Sequence, residues 1–285
     1  MDKANAFDAS NVSDSPDAGG VTAQRNGHTA TARELAGLAF AGYAHFTAMQ
    51  VRGGAVRGLD LHEQRLRNAS NALFGQALPD DALRGMLRAA LLACPGGNAS
   101  LTATVYSPAG EFTDAVGSMR PDVLVRTAPP AQGPAGPLAL AALPHERVLA
   151  HIKHVGEVAK TWLLRQAVSQ GFDDAAFVDG QGRLSEATIW NLVFWDGRTV
   201  VWPEAAMLTG TTMGAVGRQL ERLGIAQRRQ PITLADLPGL SGAAVMNSWT
   251  PGVAVHRIGP VQIPPAPEFL ALLHRAYAQE PWIAP

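Results

Sequence analysis

Residues 177–195, FVDGQGRLSEATIWNLVFW, carry the most specific pattern in the chain. The pattern predicts a strand, a glycine-containing turn, a second strand that ends near Glu186, and a further apolar strand over 187–195. Glu186 is surrounded by apolar residues, and a buried carboxylate is costly unless a cation pairs with it. We therefore expect a functional carboxylate within a strand-rich half of the chain.

Lysine is scarce in the whole chain, and none lies in residues 177–195. The 23 basic residues comprise twenty arginines and only Lys3, Lys153 and Lys160. An arginine cannot serve as an amine nucleophile because its guanidinium is not deprotonated in proteins. Lys3 lies in a polar N-terminal tail, which leaves Lys153 in the strand-like run AHIKHV (150–155) and Lys160 in the helix that follows. Two helical turns, roughly 10 Å, separate them, so we expect only Lys153 to reach the reacting atom.

A third feature is the run MLTGTTM, residues 207–213, directly before a helix predicted over about 214–223. Backbone N–H groups, hydroxyls and the positive end of the helix dipole would meet there, which favours an anion site. The same residues also suit an ordinary helix N-cap.

Taken in order, these segments resemble the class IV pyridoxal-phosphate enzymes, a family that includes branched-chain aminotransferases, D-amino acid aminotransferases and aminodeoxychorismate lyase. The matching segments are Lys153, SEATIWNLV (185–193), LTGTT (208–212), MNSWT (246–250), and FTAMQV (46–51) with LDLHEQRL (59–66). The resemblance spans about 42–255, nearly the whole folded part. Each motif alone is weak, whereas five in this order and spacing are specific.

The resemblance implies a pyridoxal 5′-phosphate cofactor and an α+β, two-domain fold of type IV, usually as a homodimer. It implies Lys153 as the catalytic amine that holds the cofactor aldehyde and moves the substrate Cα proton. It implies that Glu186 faces the cofactor's ring nitrogen, and we expect no protein cation on this carboxylate. Further cofactor contacts are expected from Arg65, Leu208, Gly210, Thr211, Thr212 and Ser248, and substrate contacts from Trp249 and Thr250.

Composition breaks predict the domain organisation. Residues 1–30 have almost no large apolar side chains, which predicts a disordered extension. Four prolines and two glycines in 128–137 predict a linker between a small α+β domain at 31–127 and a cofactor-binding domain at 138–285. We expect the larger domain to be strand-rich, without alternating βαβ units.

Several residues depart from the family pattern. Val158 stands where many aminotransferases have a tyrosine, and the strand 105–108 lacks their substrate-binding arginine. Trp190 and Trp249 replace smaller residues, which suggests a narrow or altered pocket. His62 is expected to be structural, orienting the turn that carries Arg65.

Three functions therefore remain open. The preferred one is an aminotransferase that moves an amino group between an amino acid and a 2-oxo acid, as most of the family does. The second is a lyase of the aminodeoxychorismate kind that releases pyruvate, favoured by Ile152-Lys153-His154 and Phe46-Thr47-Ala48. The third is a pyridoxal-phosphate-binding protein with weak catalysis. In each case the partner is a small molecule, an amino acid or amino-acid-like substrate.

The composition limits other functions. The 285 residues have a formal net charge of −1, which gives no electrostatic reason to expect binding of nucleic acid or of an anionic membrane. The single cysteine, Cys94, excludes an intrachain disulfide and suits a reducing compartment. No apolar run is long enough to span a bilayer, and the N-terminus lacks a signal-peptide pattern, so we expect a cytoplasmic protein.

Overall fold

The structure, a computed structural model, describes residues 21–39, 42–108, 110–112 and 120–285. Two β-sheets, each covered by helices, account for most of these residues. Along the chain, the proline-rich segment connects the two sheets. The last strand of the first sheet ends at Ala128, and the first strand of the second sheet begins at Leu138. No helix in the described part of the chain is long and apolar enough to cross a membrane.

The first sheet is antiparallel, with the strand order β2-β1-β6-β5-β3. In β3, buried and half-buried positions alternate over much of the strand, so that one face packs against the helices and the other is more open. Its strands are β1 (Thr22–Arg25), β2 (His28–Thr29), β3 (Ala44–Val51), β5 (Ala99–Tyr106) and β6 (Asp122–Ala128), and its helices are α1 (Ala32–Ala39), α2 (Leu59–Phe74) and α3 (Asp80–Leu92).

The N-terminal prediction needs correction. Residues 1–20 lie outside the described residues, but residues 22–29 are ordered as β1 and β2 rather than disordered. The pairing of β1 with β6 places Thr22 opposite Thr127, and Arg25 forms an ion pair with Asp122 at 2.6 Å. Local composition missed these strands because their order depends on a partner strand about a hundred residues away.

The second sheet contains nine strands. Six of them, in the cyclic order β10-β13-β14-β7-β8-β9, form a closed ring because β9 also pairs with β10 through Glu186 and Asn191. The strands are β7 (Leu138–Pro144), β8 (Asp174–Val178), β9 (Leu184–Ala187), β10 (Asn191–Trp195), β11 (Val200–Pro203), β12 (Gln227–Gln230), β13 (Gly242–Asn247), β14 (Thr250–Ile258) and β15 (Val261–Gln262).

Parallel pairing in this sheet was not expected. Strands β7 and β8 are parallel and joined through α4 (Val158–Ser169), and β11 and β12 are parallel and joined through α5 (Thr211–Arg222). The prediction that βαβ units are lacking was therefore wrong. Antiparallel hairpins between these units obscured the alternation in the sequence.

The C-terminal segment and helix α5 connect the second half of the chain to the first sheet. After α6 (Pro267–Ala278), strand β16 (Trp282–Ile283) returns to pair with β4 (Val56–Arg57) beside the first sheet. The guanidinium of Arg218 on α5 bonds the carboxylates of Asp60 on α2 and of buried Glu280. These links fix α2 against α5, where the candidate site lies.

Candidate active site

Lys153 lies at the junction of the two sheets. Its carbonyl accepts a 2.8 Å hydrogen bond from the Phe46 N–H, and the Val155 N–H donates to the Ala44 carbonyl at 3.0 Å. Residues 153–155 thus extend the first sheet at β3, its edge strand, although only His154 forms a ladder bridge rather than the full strand expected. The Lys153 ammonium nitrogen lies 4.7 Å from the centre of the Phe46 ring.

Arg147 braces the turn that leads to Lys153. This arginine is 3% exposed, and its Nη atoms donate to the carbonyls of Ala150 at 3.2 Å and Ile152 at 2.6 Å. A second contact joins it to the Glu157 carboxylate at 2.5 Å, one residue before α4. Leu149 within the turn has a φ of 52°, a left-handed conformation that L-residues rarely adopt. The bonds from Arg147 help to hold this strained turn and therefore the lysine.

The Lys153 amine is electrostatically prepared to act as a base. Burial first, and then the positive charges of Arg65, Lys160 and Arg147, lower the pKa of Lys153 from its ordinary value of 10.5 to about 7. A lysine with this pKa is substantially neutral near pH 7, as amine nucleophiles and proton shuttles require.

Glu186 lies across the same cavity, but it is not free of protein cations. Its Oε1 accepts a hydrogen bond from the Lys160 ammonium at 3.0 Å and lies 3.6 Å from the Arg147 Nε. The expectation that no protein cation pairs with Glu186 was therefore wrong. Helix α4 begins at Val158, so Lys160 is in its first turn and its long side chain reaches back to β9.

Asn191 connects the strand motif to the loop before α5. Its side-chain amide donates to the Leu208 carbonyl at 2.6 Å, and its side-chain oxygen lies so close to Gly210 that a Cβ there would overlap it. Asn191 also faces Glu186 in the β9–β10 pair. The spacing of SEATIWNLV thus places the carboxylate and the loop anchor side by side.

The loop for which an anion site is predicted leads directly into the first turn of α5. Gly210 is the N-cap, and the side chains of Thr211 and Thr212 are buried and line the cavity together with Ser248. Arg65 reaches in from α2 and donates to the Thr209 carbonyl at 3.0 Å. Burial, and then the charge of Arg147, lower the pKa of Arg65 to about 10, and among the described residues it forms no ion pair with a carboxylate. A half-buried guanidinium beside a helix N-terminus suits a phosphate.

His62 supports Arg65 from within α2. Its Nδ1 lies 2.6 Å from the Thr47 hydroxyl of β3. Burial, followed by the charge of Arg65, lowers the pKa of His62 to about 3, so its ring is neutral at physiological pH. The ring joins α2 to β3 and leaves proton transfer to other groups, in line with the structural role expected for it.

The two expected substrate contacts differ in position. Trp249 lines the cavity, with its ring centre 6.0 Å from that of Trp190 in an edge-to-face arrangement. Its backbone N–H, a potential donor to a substrate carboxylate, already donates to the Asn247 side chain at 2.8 Å. Thr250 does not line the cavity; it begins β14, opposite Asn247, and its hydroxyl bonds the Gly252 carbonyl at 3.3 Å.

Together these groups border one cavity of about 230 Å³. Except for Thr250, it contains every site residue expected from the sequence: Lys153, Arg65, Glu186, Leu208, Gly210, Thr211, Thr212, Ser248 and Trp249. Sequence reasoning missed Arg147 and gave Lys160 no role, since neither forms part of a motif. The requirement that a buried glutamate have a cation was the available signal for Lys160.

The cavity fits pyridoxal phosphate. It offers an amine for the aldehyde, a carboxylate for the ring nitrogen, and a half-buried arginine with threonine hydroxyls at a helix N-terminus for the phosphate. The described residues contain no group of three or more histidine, cysteine or acidic side chains able to hold a metal ion.

Comparison with solved structures shows the same fold in pyridoxal-phosphate enzymes. A putative 4-amino-4-deoxychorismate lyase from Legionella pneumophila has a TM-score of 0.75 and 18% identity, over 81% of this chain and 89% of that one. A hypothetical aminotransferase from Mycobacterium tuberculosis in its PLP-bound form has a TM-score of 0.74 and 20% identity, over 91% and 100%. A branched-chain aminotransferase from Thermoproteus uzoniensis has a TM-score of 0.77 and 17% identity, over 90% and 94%.

Sequence comparison identifies the family. Among curated proteins, none matches the chain closely enough to count as a relative. The model of the amino-transferase class IV family, however, matches residues 44–258, which include every residue that lines the cavity. That family uses pyridoxal phosphate. This chain is therefore a member of the class IV aminotransferase family, with the α+β fold of type IV and pyridoxal phosphate as its cofactor.

Proposed function

We propose that this protein is an aminotransferase that moves an amino group between an amino acid and a 2-oxo acid. The observation that carries the proposal is the Lys153 amine, whose pKa is lowered to about 7 inside a cavity that also holds Glu186. An amine of this kind can capture the cofactor and later accept a proton from the substrate Cα. Family membership adds support, because transamination is the activity for which the family is named.

Each residue has a proposed role. When bound, pyridoxal phosphate supplies an aldehyde that captures amines and a ring that withdraws electrons from the substrate Cα. Lys153 Nζ holds the cofactor before substrate arrives and then carries the Cα proton. Glu186 faces the ring nitrogen and favours its protonated form. Arg65, Thr211, Thr212 and Ser248 bind the phosphate, while Leu208 and Gly210 shape the loop that presents these donors.

The walls of the cavity favour small or apolar amino acids. Phe46, Ile189, Trp190 and Trp249 line it, and Trp190 is fixed because its indole N–H donates to buried Asp174 at 2.9 Å. Among the described lining residues, Arg65 is the only arginine, so no arginine is left to pair with a carboxylate in the substrate side chain. We therefore propose apolar or small amino donors, with pyruvate, which has a single carboxylate, as acceptor.

A lyase of the aminodeoxychorismate kind is the second candidate. It is favoured by His154 after the lysine, by the lack of an arginine among the described cavity residues beyond the phosphate site, and by the exposed position of Val158, where transaminases often carry a tyrosine. Both reactions need the same proton transfer at Lys153 and differ in what leaves the substrate.

The experiment that separates the two uses one purified preparation. A panel of L- and D-amino acids is added without an acceptor, and the cofactor spectrum is followed. An aminotransferase converts the cofactor to its amine form, and the 2-oxo acid product appears in equal amount. If no donor gives this conversion while aminodeoxychorismate yields pyruvate and aminobenzoate, the lyase replaces the aminotransferase. If neither occurs although the cofactor is bound, the protein binds pyridoxal phosphate without turnover.

We also propose that the protein is a homodimer. Five apolar side chains close to the cavity are exposed in the single chain, and on α4 Val158 and Trp162 are one turn apart, 82% and 70% exposed. The other three are Val148, Leu149 and Val155. Large apolar side chains that are exposed in such number within a short stretch of chain are often covered by a partner. The division into domains at 128–137 and a cytoplasmic location remain proposals that rest on the sequence.

A further inference from the structure

We propose that Lys160 is a positioning residue of the cofactor site, which holds Glu186 through an ion pair and keeps it from pairing with Lys153. This inference rests on the proposed function, because it concerns how Glu186 is presented to the ring nitrogen and how Lys153 is kept reactive.

The ion pair itself is well formed. The Lys160 Nζ lies 3.0 Å from the Glu186 Oε1, and the two side chains are only 11% and 6% exposed. The Arg147 Nε lies 3.6 Å from the same oxygen. Neither contact uses Oε2, which leaves that oxygen for the ring nitrogen. At this burial the pair is protected from the screening that weakens surface salt bridges.

The arrangement matters because other cations face the same cavity. Lys153 and Arg65 also line it, and a buried carboxylate turns toward whichever cation compensates it best. If Glu186 paired with Lys153, it would stabilise the ammonium form, which can neither attack an aldehyde nor accept a proton. The charge of Glu186 already acts to raise the pKa of Lys153, whereas those of Lys160 and Arg147 act to lower it. Lys160 therefore opposes the unproductive pair in two ways.

A second carboxylate and an aromatic ring also surround the Lys160 ammonium. The Glu157 carboxylate lies 3.9 Å from its Nζ and also binds Arg147. The Phe177 ring centre lies 5.7 Å from the same nitrogen and 4.6 Å from the ring centre of His145. Burial lowers the pKa of His145, so that its ring adds no competing charge near neutral pH.

The test compares Lys160→Met, which removes the charge, with Lys160→Arg, which retains it. Arg84→Met is the matched control, since it removes the cation from another buried carboxylate, Glu63, outside the cavity. In cofactor-free protein, an amine-selective reagent is applied across a pH series, and labelling of the Lys153 peptide is measured by mass spectrometry. For Lys160→Met we expect labelling near pH 7 to fall about fivefold, because a rise of about one unit in the pKa of Lys153 from about 7 lowers its neutral fraction by that factor. The other two variants should label like the parent.

A second measurement uses the cofactor-bound protein. The absorption band of the lysine-bound cofactor is titrated with pH, and cofactor affinity is measured by equilibrium dialysis. Lys160→Met should shift the titration upward and weaken binding severalfold, while Lys160→Arg and Arg84→Met should do neither. Should Lys160→Met fail to fold, Lys160→Gln, which keeps a donor but no charge, replaces it with the same expectation.

These measurements distinguish failure of the Lys160 positioning role from failure of the proposed function. If the parent forms the lysine-bound cofactor but Lys160→Met matches it in both labelling and titration, the positioning role is refuted and the proposed function stands. If borohydride traps no cofactor on Lys153 of the parent, both are overturned. If Lys160→Met and Lys160→Arg are equally impaired, the charge is not what matters, and the inference fails.

Discussion

Replacing Lys153 by methionine should stabilise the cofactor-free protein in a pH-dependent way. The pKa of Lys153 drops from 10.5 to about 7 on folding because the side chain is buried near three other cations. This difference corresponds to at most ~5 kcal/mol at 1.36 kcal/mol per unit, and relaxation of the site reduces it, so we expect about 2–5 kcal/mol. Methionine fills a similar volume without requiring a charge to be buried.

The sign follows from proton binding. Between about pH 7 and 10.5 the unfolded lysine is protonated and the folded one is neutral, so the stability of the parent rises with pH through this window. The cost of burying the charged Lys153 side chain is fully present below pH 7 and absent above pH 10.5. The advantage of Lys153→Met should therefore be largest near pH ~7 and disappear toward pH ~10.

The assay is urea unfolding of parent and variant, without cofactor, across that window. Burial lowers the pKa values of His45 and His62 to about 4 and 3, and they contribute equally to both proteins, so they cancel in the difference. A stability difference that does not change with pH would show that Lys153 titrates normally, and would refute the electrostatic account of its reactivity.

Three further predictions concern Glu186, the phosphate site and the dimer. Glu186→Gln removes the nearest carboxylate from buried Lys160, which keeps Glu157 at 3.9 Å. It should lower the free energy of unfolding by at most ~3–5 kcal/mol and turnover by ~10²-fold or more; near-normal turnover by a folded variant would contradict its role. Combining Arg65→Ala with Thr212→Val should weaken cofactor binding by ~1.5–3 kcal/mol per lost charged hydrogen bond, measured by dialysis, and retention equal to the parent would place the phosphate elsewhere. If the protein is the proposed homodimer, Trp162→Asp should convert it to a monomer in sedimentation velocity, whereas an unchanged dimer would exclude this face of α4 as the interface.

Much of the local structure was predictable. The apolar pattern of the sequence predicts a strand over 44–51 and helices over 61–74 and 80–94. Strand β3 has these bounds, and α2 and α3 agree with theirs to within two residues at each end. These elements are visible in the sequence because their apolar residues recur with the period of the structure they form. The proximity of Lys153, Glu186 and the 208–212 loop was also expected, although only from the order of the motifs.

The tertiary structure decided which charges meet. The sequence determined a strand-rich second half, a lysine as the candidate amine and an anion-binding helix start, since each depends on residues close along the chain. It could not show that Lys160 reaches Glu186, that Arg147 braces the Lys153 turn, or that the Trp249 N–H is already bonded. Those contacts arise where β9, α4 and the 145–153 turn converge, and the desolvation that gives the Lys153 amine its low pKa exists only after the two sheets have packed around it.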